Sequence, residues 1–273
     1  MKVFILGHKG MLGRYVYSYF KQQNFDVVGV DKNIIDASNT TKEKLSAILL
    51  LTLKAKKGDV FINCAGTIKP MVDKHGSLNA IQVNSVFPHL LSSSCKDNGF
   101  NMIHITTDCV YSGKKGLYTE DDLHDCTDVY GKSKSLGEPS DCTVLRTSII
   151  GEEIGQARSF IEWIKSSKDK TVNGFINHNW NGVTCLQVAK IFENIILNDK
   201  YWNGVQIVTS PNIINKCDMV KLISDTYNLN ITVTPVEDKN PIDRTMESKY
   251  INNFNIPALE QQIKELKEFY QYL

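Results

Sequence analysis

A tyrosine and a lysine four positions apart could carry out acid–base chemistry. Tyr130 and Lys134 belong to the run Tyr-Gly-Lys-Ser-Lys. On a helix, residues i and i+4 lie on one face, so the two side chains would project together. A phenol titrates at about 10 in water, and a neighbouring ammonium favours the phenolate and lowers that pKa. The pair could then exchange a proton with a substrate near neutral pH, although the same spacing also arises by chance on helix surfaces.

A threonine at the end of a predicted strand could hold the group that receives this proton. Thr107 lies within Ile-Thr-Thr-Asp-Cys-Val-Tyr-Ser-Gly, residues 105–113. In doubly wound sheets, ligands bind outside the carboxyl ends of the strands. Thr107 could therefore donate a hydrogen bond to a substrate carbonyl oxygen and hold it against Tyr130. The alternative is a β-branched residue that caps a turn.

A glycine-rich segment near the N-terminus could bind a pyrophosphate. Gly7, Gly10 and Gly13 follow an apolar run and open a helical pattern. The first glycine would allow a tight turn, the second a close approach to pyrophosphate, and the third close packing of helix on strand. The helix N-terminus at Met11 and Leu12 would offer N–H groups and a partial positive charge. The segment predicts dinucleotide binding.

Asp31 ends the second predicted strand, where it could select the cofactor. An acid at this position accepts hydrogen bonds from the ribose hydroxyls of adenosine, which favours NAD over NADP. Lys32 and Arg14 could instead receive a 2′-phosphate, and Asp31 could be a solvated turn residue. We expect NADH or NADPH as the cofactor, with a slight preference for NADH.

These candidate residues lie in a chain whose first 150 residues alternate between strands and helices. The apolar patterns predict strands at 2–6, 26–30, 60–64, 102–106 and 143–147, and helices at 11–23, 41–53, 81–98 and 130–137. Such alternation predicts an α/β fold with a doubly wound parallel sheet of the Rossmann type. Residues 1–150 are therefore expected to form an NAD(P)-binding domain.

Residues 151–273 are expected to form a smaller, mainly substrate-binding α/β part, packed on the first without a flexible linker. The patterns predict helices at 157–167, 185–197, 216–227 and 258–272, and strands at 205–209 and 231–235. The polar stretches 173–182 and 237–245 are predicted to be loops that hold a ligand. Trp180 could stack on a nucleotide base or seal the junction between the halves. Arg244 could bind a phosphate or form a surface salt bridge.

Charge and composition exclude several classes of protein. The 273 residues include 31 Lys and Arg against 30 Asp and Glu, so no basic surface for nucleic acid is predicted. The apolar runs are far shorter than the roughly 20 residues of a membrane helix, and the first residues lack the pattern of a signal peptide. Seven scattered cysteines and six dispersed histidines predict neither a disulfide framework nor a metal site. We expect a cytoplasmic protein.

Several motifs together resemble the extended short-chain dehydrogenases/reductases, and within them the dTDP-4-dehydrorhamnose reductases and related sugar-nucleotide reductases. The similarity is dense to about residue 150 and diffuse afterwards. Cys109 stands where these proteins usually have tyrosine, and the later stretch 178–184 matches them mainly at Thr184. The resemblance is carried by residues 7–13, 62–66, 71–74, 83–84, 106–111, 118–121, 129–134, 136–138 and 144–147.

The resemblance implies reduction of the 4-keto group of a 4-keto-6-deoxy sugar nucleotide, in the synthesis of deoxysugar or surface-glycan precursors. Hydride would pass from the nicotinamide to C4 while Tyr130 protonates the oxygen. Lys134 would hold the nicotinamide ribose, and Cys64, Ala65 and Gly66 would flank the cofactor. A homodimer is a further possibility, and the sugar and the nucleotide stay open.

Two other functions are compatible with the same motifs. An epimerase or dehydratase of the superfamily would use the nicotinamide transiently, but a dehydratase would usually have an Asp–Glu pair where this chain has Asp108 and Cys109. A non-catalytic regulatory subunit, like the related β subunit of methionine adenosyltransferase, would retain the cofactor fold. The intact Thr107, Tyr130 and Lys134 argue against that alternative.

Overall fold

A computed structural model describes residues 1–155, 159–250 and 254–273. Its largest element is a six-stranded, fully parallel sheet in the order β10-β5-β4-β3-β1-β2. The strands, numbered along the chain, are β1 (Val3–Leu6), β2 (Val27–Val30), β3 (Val60–Asn63), β4 (Asn101–Thr107), β5 (Thr143–Thr147), β6 (Ile149–Ile150), β7 (Thr171–Phe175), β8 (His178–Trp180), β9 (Val183–Thr184), β10 (Gly204–Ile207), β11 (Ile214–Asn215), β12 (Thr232–Val236) and β13 (Ile242–Asp243).

Helices cover both faces of this sheet. They are α1 (Met11–Gln22), α2 (Lys42–Ala47), α3 (Lys69–Ile81), α4 (Phe87–Asn98), α5 (Val129–Ser135), α6 (Phe160–Ser166), α7 (Cys185–Leu197), α8 (Lys216–Tyr227) and α9 (Leu259–Phe269). Successive side chains of a strand point to opposite faces, so Val3 and Ile5 pack with α1 and α7 while Phe4 and Leu6 pack with α2 and α4. The predicted doubly wound α/β fold is confirmed.

Most element boundaries in the first half agree with the sequence patterns to within a residue or two. The predicted helices 41–53 and 81–98 are exceptions. The first is α2 followed by a π-helical turn, Ile48–Thr52, and the second is the later part of a longer segment. There, α3 continues through a π-helical turn, Gln82–Val86, into α4. The predicted helix 157–167 is observed as α6, and its first two residues lie outside the described part of the chain.

The second half contains strands where the sequence predicts loops, so that prediction is wrong. The stretch 173–182 includes part of β7 and all of β8, and 237–245 includes β13. Strand β8 lies between β11 and β13 in a three-stranded sheet, while β7 pairs with β12. Both β7 and β12 keep most of their residues at least partly exposed. Strand β7 therefore lacks the apolar alternation by which a strand is recognised in a sequence, whereas β12 is the strand that the sequence predicts at 231–235.

Two elements from the second half complete the first. Strand β10 pairs in parallel with β5 and forms the edge of the large sheet, and α7 packs on α1. The two parts therefore share one hydrophobic core. No helix within the described residues is long and apolar enough to cross a membrane.

Candidate cofactor and catalytic site

The turn after β1 brings three chain segments very close together. Gly7 has a positive φ of 74°, and a Cβ atom on it would lie 2.9 Å from the Ala65 Cα atom. A Cβ atom on Gly13 would lie 2.2 Å from the Gly7 carbonyl oxygen. Gly10 is the N-cap of α1 and has no side chain to cap the helix. The first N–H groups of α1 therefore remain for an external anion such as a pyrophosphate.

Two adjoining cavities extend from this turn along the carboxyl ends of the strands. The first, of about 320 Å³, reaches the end of β2, and the second, of about 380 Å³, reaches α5. Their common wall contains Gly10, Cys64, Ala65, Gly66 and Thr67. Among the predicted site residues, Gly7 and Asp31 line only the first cavity, whereas Met11, Leu12, Thr107, Tyr130 and Lys134 line only the second.

Asp31 lies on the lip of the first cavity but is already paired. The Lys9 ammonium donates to its carboxylate at 2.6 Å, and the Asn33 N–H donates at 3.0 Å. These bonds lower the pKa of Asp31. Lys32 lines the same cavity, whereas Arg14 is not part of the wall of either cavity and donates to the Lys9 carbonyl oxygen at 3.3 Å. Lys9 is not among the predicted site residues, although a cation between Gly7 and Gly10 is visible in the sequence.

Helix α5 positions the tyrosine and the lysine of the second cavity. The helix starts where it does because the Asp128 carboxylate caps it, accepting from the Gly131 N–H at 3.0 Å. Lys134 is 7% exposed, and its ammonium donates to the Ile105 carbonyl oxygen of β4 at 2.9 Å. Burial lowers the pKa of Lys134 to about 8. The ammonium form is therefore only moderately favoured at neutral pH.

The Tyr130 phenol has a pKa above its ordinary value. Burial is the main cause, the Cys109 side chain adds to it, and a hydrogen bond with Thr107 partly opposes it. Lys134 is not among the main influences on this pKa. The prediction that the lysine lowers the pKa of Tyr130 is therefore wrong. The shift keeps the phenol protonated at neutral pH, as a proton donor requires.

Thr107 connects the tyrosine to the turn that follows β4. Its hydroxyl donates to the Asp108 carboxylate at 3.0 Å and accepts from the Cys109 N–H at 3.2 Å. Burial, together with the charge of Asp108, raises the pKa of the Cys109 thiol to about 12. The thiol is therefore protonated at neutral pH and is a poor nucleophile, in keeping with a packing role.

Asn84 holds the wall between the cavity and α5. It is buried, and its amide accepts from the Thr67 N–H at 2.8 Å and donates to the Thr67 carbonyl oxygen at 2.9 Å. The same amide nitrogen is 3.1 Å from the Ser133 hydroxyl, one residue from Lys134. Asn84 therefore fixes one side of the cavity relative to α5. In the sequence, Asn84 is distinguished only as part of the family resemblance, in residues 83–84.

Of the three predicted substrate residues, Thr107 lines the second cavity, and Trp180 and Arg244 lie outside both cavities. Trp180 is 5% exposed and belongs to the main hydrophobic core, which argues against a base-stacking role and favours the alternative of a seal between the halves. Arg244 is partly buried, and its Nε donates to the Tyr111 carbonyl oxygen at 2.9 Å. Its guanidinium lies close enough to Cys109 to act on that thiol. Within the described residues, no group of three or more His, Cys, Asp or Glu side chains could hold a metal ion.

The fold is a parallel Rossmann-type sheet that carries a G-x-x-G-x-x-G turn and a Tyr-x-x-x-Lys helix. The chain belongs to the RmlD substrate binding domain family, whose model matches residues 1–174.

Relatives in this family differ in what they do. The chain is 25% identical over 254 residues to bovine (Bos taurus) methionine adenosyltransferase 2 subunit beta, covering 84% of this chain and 72% of the relative. It is 26% identical over 152 residues to the dTDP-4-keto-6-deoxy-D-glucose reductase of Streptomyces niveus, covering 53% and 51%. It also matches the dTDP-4-dehydrorhamnose reductase of Bacillus anthracis in complex with NADP, with a TM-score of 0.79, 16% identity and 98% coverage of both chains.

Proposed function

We propose that this protein is an NAD(P)H-dependent reductase that acts on the 4-keto group of a 4-keto-6-deoxy sugar nucleotide. The observation that carries the proposal is the meeting of Thr107, Tyr130 and Lys134 in one cavity that adjoins the glycine-rich turn. The name of the Streptomyces niveus relative supports the substrate class. The product would serve the synthesis of deoxysugar or surface-glycan precursors.

The residues present fit a nicotinamide dinucleotide. Gly7 and Gly13 let the turn pack tightly on neighbouring backbone, and Gly10, which lines both cavities at the start of α1, would let the backbone approach a pyrophosphate. Asp31 lines the first cavity and Lys134 the second, and they would face the adenosine and the nicotinamide parts of the cofactor. A reduced nicotinamide bound there would supply the hydride.

The chain's own groups would handle the proton and the geometry. Tyr130 would donate its phenolic proton to the oxygen formed at C4, because its raised pKa keeps the phenol protonated until an alkoxide develops. Thr107 would direct the carbonyl oxygen towards Tyr130. Lys134 would bind a ribose hydroxyl of the cofactor, and its ammonium would favour the phenolate left by proton transfer.

Cofactor preference depends on Asp31 and Lys9 together. Asp31 would accept from the adenosine ribose hydroxyls, which supports a slight preference for NADH. Lys9 neutralises that carboxylate at 2.6 Å and would reduce the repulsion of a 2′-phosphate. We therefore expect both cofactors to bind. The same proposal includes residues 1–150 as the cofactor domain, 151–273 as the substrate part, a cytoplasmic location and a homodimer.

An absorbance assay at the NADH band tests the activity. The purified protein would be incubated with NADH or NADPH and a panel of 4-keto-6-deoxy sugar nucleotides that differ in base and sugar. Oxidation that depends on both the protein and the sugar nucleotide, with formation of the reduced sugar, is the expected result. Absence of turnover across the panel, with a folded and cofactor-binding protein, would contradict the reductase proposal.

A second candidate is a non-catalytic subunit that binds the cofactor. The long match to methionine adenosyltransferase 2 subunit beta favours it, because that match extends over 254 residues and well into the second half. This candidate requires association with a methionine adenosyltransferase catalytic subunit and no turnover in the reductase assay. Size-exclusion chromatography of the two chains together, with and without NADPH, separates the two functions.

A further inference from the structure

The Thr107 hydroxyl has its only hydrogen committed within the protein. It donates that hydrogen to the Asp108 carboxylate at 3.0 Å and accepts from the Cys109 N–H at 3.2 Å. A hydroxyl has one hydrogen and two lone pairs, so one lone pair is left for the Tyr130 phenol, to which Thr107 is also hydrogen-bonded. The phenol therefore donates to Thr107, because the threonine has no second hydrogen to give.

Asp108 is the acceptor at the end of this series of hydrogen bonds. Its oxygen Oδ1, which accepts from Thr107, also accepts from the Cys109 thiol at 3.6 Å. The thiol retains its hydrogen at neutral pH, because burial, together with the charge of Asp108, raises its pKa to about 12. Two hydrogens that point at one oxygen require lone pairs on it. The hydrogen bonds therefore run in one direction, from Tyr130 through Thr107 to Asp108.

The turn after β4 holds the Asp108 carboxylate in place. Residues Asp108–Val110 form a single 3-10 turn that Thr107 caps, and the Tyr111 N–H donates to the Asp108 carbonyl oxygen at 3.0 Å. Asp108 is 6% exposed, so water competes little for the hydrogen of Thr107. Lys216, the first residue of α8, lies nearby: burial lowers the pKa of its ammonium, and the charge of Asp108 opposes that effect.

Asp108 influences the phenol in two ways that can be separated. After burial, the side chains of Cys109, Asp108 and Asp128 raise the pKa of Tyr130, and among the main influences only the hydrogen bond with Thr107 lowers it. One effect of Asp108 is therefore that of its charge. The other is the orientation of the Thr107 hydroxyl, which decides whether that hydroxyl accepts from the phenol or donates to it. Only the second effect requires Thr107.

We propose that Asp108 is a positioning residue that acts through Thr107. By binding the threonine hydrogen, it keeps the Thr107 oxygen turned towards the phenol, so that of the two hydroxyls only Tyr130 has a hydrogen to pass to a substrate carbonyl. Thr107 would then direct the carbonyl oxygen by placing the phenol and not by a hydrogen bond of its own. The inference rests on the proposed reductase function for the use of that proton, but the orientation of the hydroxyl does not depend on it.

Fluorine NMR of the full chain tests the orientation without any substrate. With 3-fluorotyrosine in place of tyrosine, the phenols titrate at lower pH, and the Tyr130 signal is the one lost in Tyr130→Phe. Asp108→Ala removes both the charge and the acceptor, whereas Asp108→Asn removes the charge and retains an oxygen that can accept from Thr107. A Thr107 hydroxyl without its acceptor can donate to the phenolate and stabilise it. The Tyr130 midpoint should therefore lie about one pH unit lower in Asp108→Ala than in Asp108→Asn.

Two further variants separate orientation from charge. In a Thr107→Val background, the difference between Asp108→Ala and Asp108→Asn should vanish, because no hydroxyl is left to turn. Asp128→Asn is the matched control, since it removes another charge that acts on Tyr130 while an asparagine can still cap α5. Its effect on the midpoint should be the same with and without the Thr107 hydroxyl. Equal midpoints in Asp108→Ala and Asp108→Asn, or a difference that persists in Thr107→Val, would overturn the proposal.

Turnover separates this inference from the reductase proposal. If both hold, Asp108→Ala should lower kcat about tenfold with little change in substrate KM, and Asp108→Asn should lower kcat less. An unchanged kcat in Asp108→Ala would overturn the positioning role. The expected difference in midpoints, in a protein that reduces no keto sugar, would support the orientation and contradict the reductase function. Should Asp108→Ala fail to fold by circular dichroism, Asp108→Val, which has a similar volume and no acceptor, takes its place with the same expectations.

Discussion

The cofactor side and the substrate side of the site are built in different ways. On the proposed cofactor side, backbone at Gly7 and Gly10 lines the cavities, and Gly7 and Gly13 are packed tightly against neighbouring backbone atoms. On the proposed substrate side, side chains would form it, among them Arg244 after β13. The first arrangement tolerates almost no change in residue type, whereas the second can be retuned by single side-chain substitutions.

The difference shows where specificity can change in such a fold. A dinucleotide is common to many enzymes, so a surface of N–H groups at the start of α1 suits all of them. Sugar nucleotides vary in base, sugar and substituents, and the side chains of a small, partly exposed sheet can vary with them. Under the proposed function, the chemistry is confined to Tyr130, Thr107 and Lys134, which line the second cavity.

The largest expected effect comes from the tyrosine between the two sides. Tyr130→Phe should lower reductase turnover by about 10²–10⁴-fold, because the phenolic proton rather than the ring serves the substrate oxygen. NADH affinity by calorimetry should be nearly unchanged, and Tyr272→Phe, at an exposed tyrosine, should leave turnover intact. Retention of more than about a tenth of wild-type turnover in Tyr130→Phe would exclude it as the donor.

Arg244→Ala tests whether the substrate side acts through side chains. Loss of a charged hydrogen bond costs about 1.5–3 kcal/mol, so the substrate KM should rise about 10- to 100-fold with little change in NADH affinity. Lys239→Ala, an exposed lysine of the same segment, should leave KM unchanged. An unchanged KM in a folded Arg244→Ala protein would mean that the phosphates are bound elsewhere.

Gly13→Ala tests whether the cofactor side depends on backbone contact. The new methyl group would lie 2.2 Å from the Gly7 carbonyl oxygen, and overpacking of this kind costs about 1–3 kcal/mol of the free energy of unfolding. Gly10→Ala would meet the same oxygen at 3.3 Å and should cost less. Thermal unfolding followed by circular dichroism measures both, and equal Tm values for the two variants would contradict the packing argument.

The pH dependence of turnover should report Lys134. Its pKa lies near 8, below the ordinary value, so the ammonium is lost as the pH rises through about 8. If the charged form is required, turnover should fall by about tenfold per pH unit above that value. Lys134→Arg, which stays charged, should remove this decline even if its turnover is lower. A wild-type profile that stays flat to pH 10, about two units above this pKa, would mean that turnover does not require the charged form of Lys134.

The smallest effect concerns the choice between NADH and NADPH. Lys9→Met leaves the Asp31 carboxylate unopposed and should increase the preference for NADH, whereas Asp31→Ala should narrow or reverse it. Both shifts should be about fivefold or less, because the Lys9 side chain is largely exposed and solvent weakens the interaction of such a pair. Calorimetric titration of each variant with both cofactors measures the ratio of Kd values. If the ratio of Kd values changed in the same direction in both variants, neither charge would discriminate between the cofactors through the 2′-phosphate.

The sequence reveals the cofactor side because its constraints are local. Glycine spacing, strand ends and the i, i+4 pair lie within short segments, so the parallel sheet and the turn at Gly7 could be predicted. The order of the strands could not, because pairing is set by tertiary packing. The two-residue strands β11 and β13 are too short to show a period.

The proposed substrate side could be predicted less well from the sequence, because its contacts join residues that are far apart along the chain. Lys216 follows Asn215 as an ordinary first residue of a helix, and nothing local signals its contacts with Phe160 and Trp180. Trp180 stands out in the sequence as an aromatic residue in a polar stretch. In the structure its side chain is buried, and the Lys216 ammonium lies over its ring. Long-range contacts, rather than residue type, decide which of these side chains can meet a ligand.

The edge position of β10 has a consequence for how the chain folds during synthesis. Strand β5 is complete at Thr147, but its partner begins only at Gly204. A nascent chain of about 150 residues would therefore expose the open edge of a buried, apolar strand, which is a template for pairing with other chains. We expect the ribosome-bound intermediate to depend on chaperones until β10 emerges, and a fragment that stops at residue 150 to aggregate in a sedimentation assay where the full chain does not.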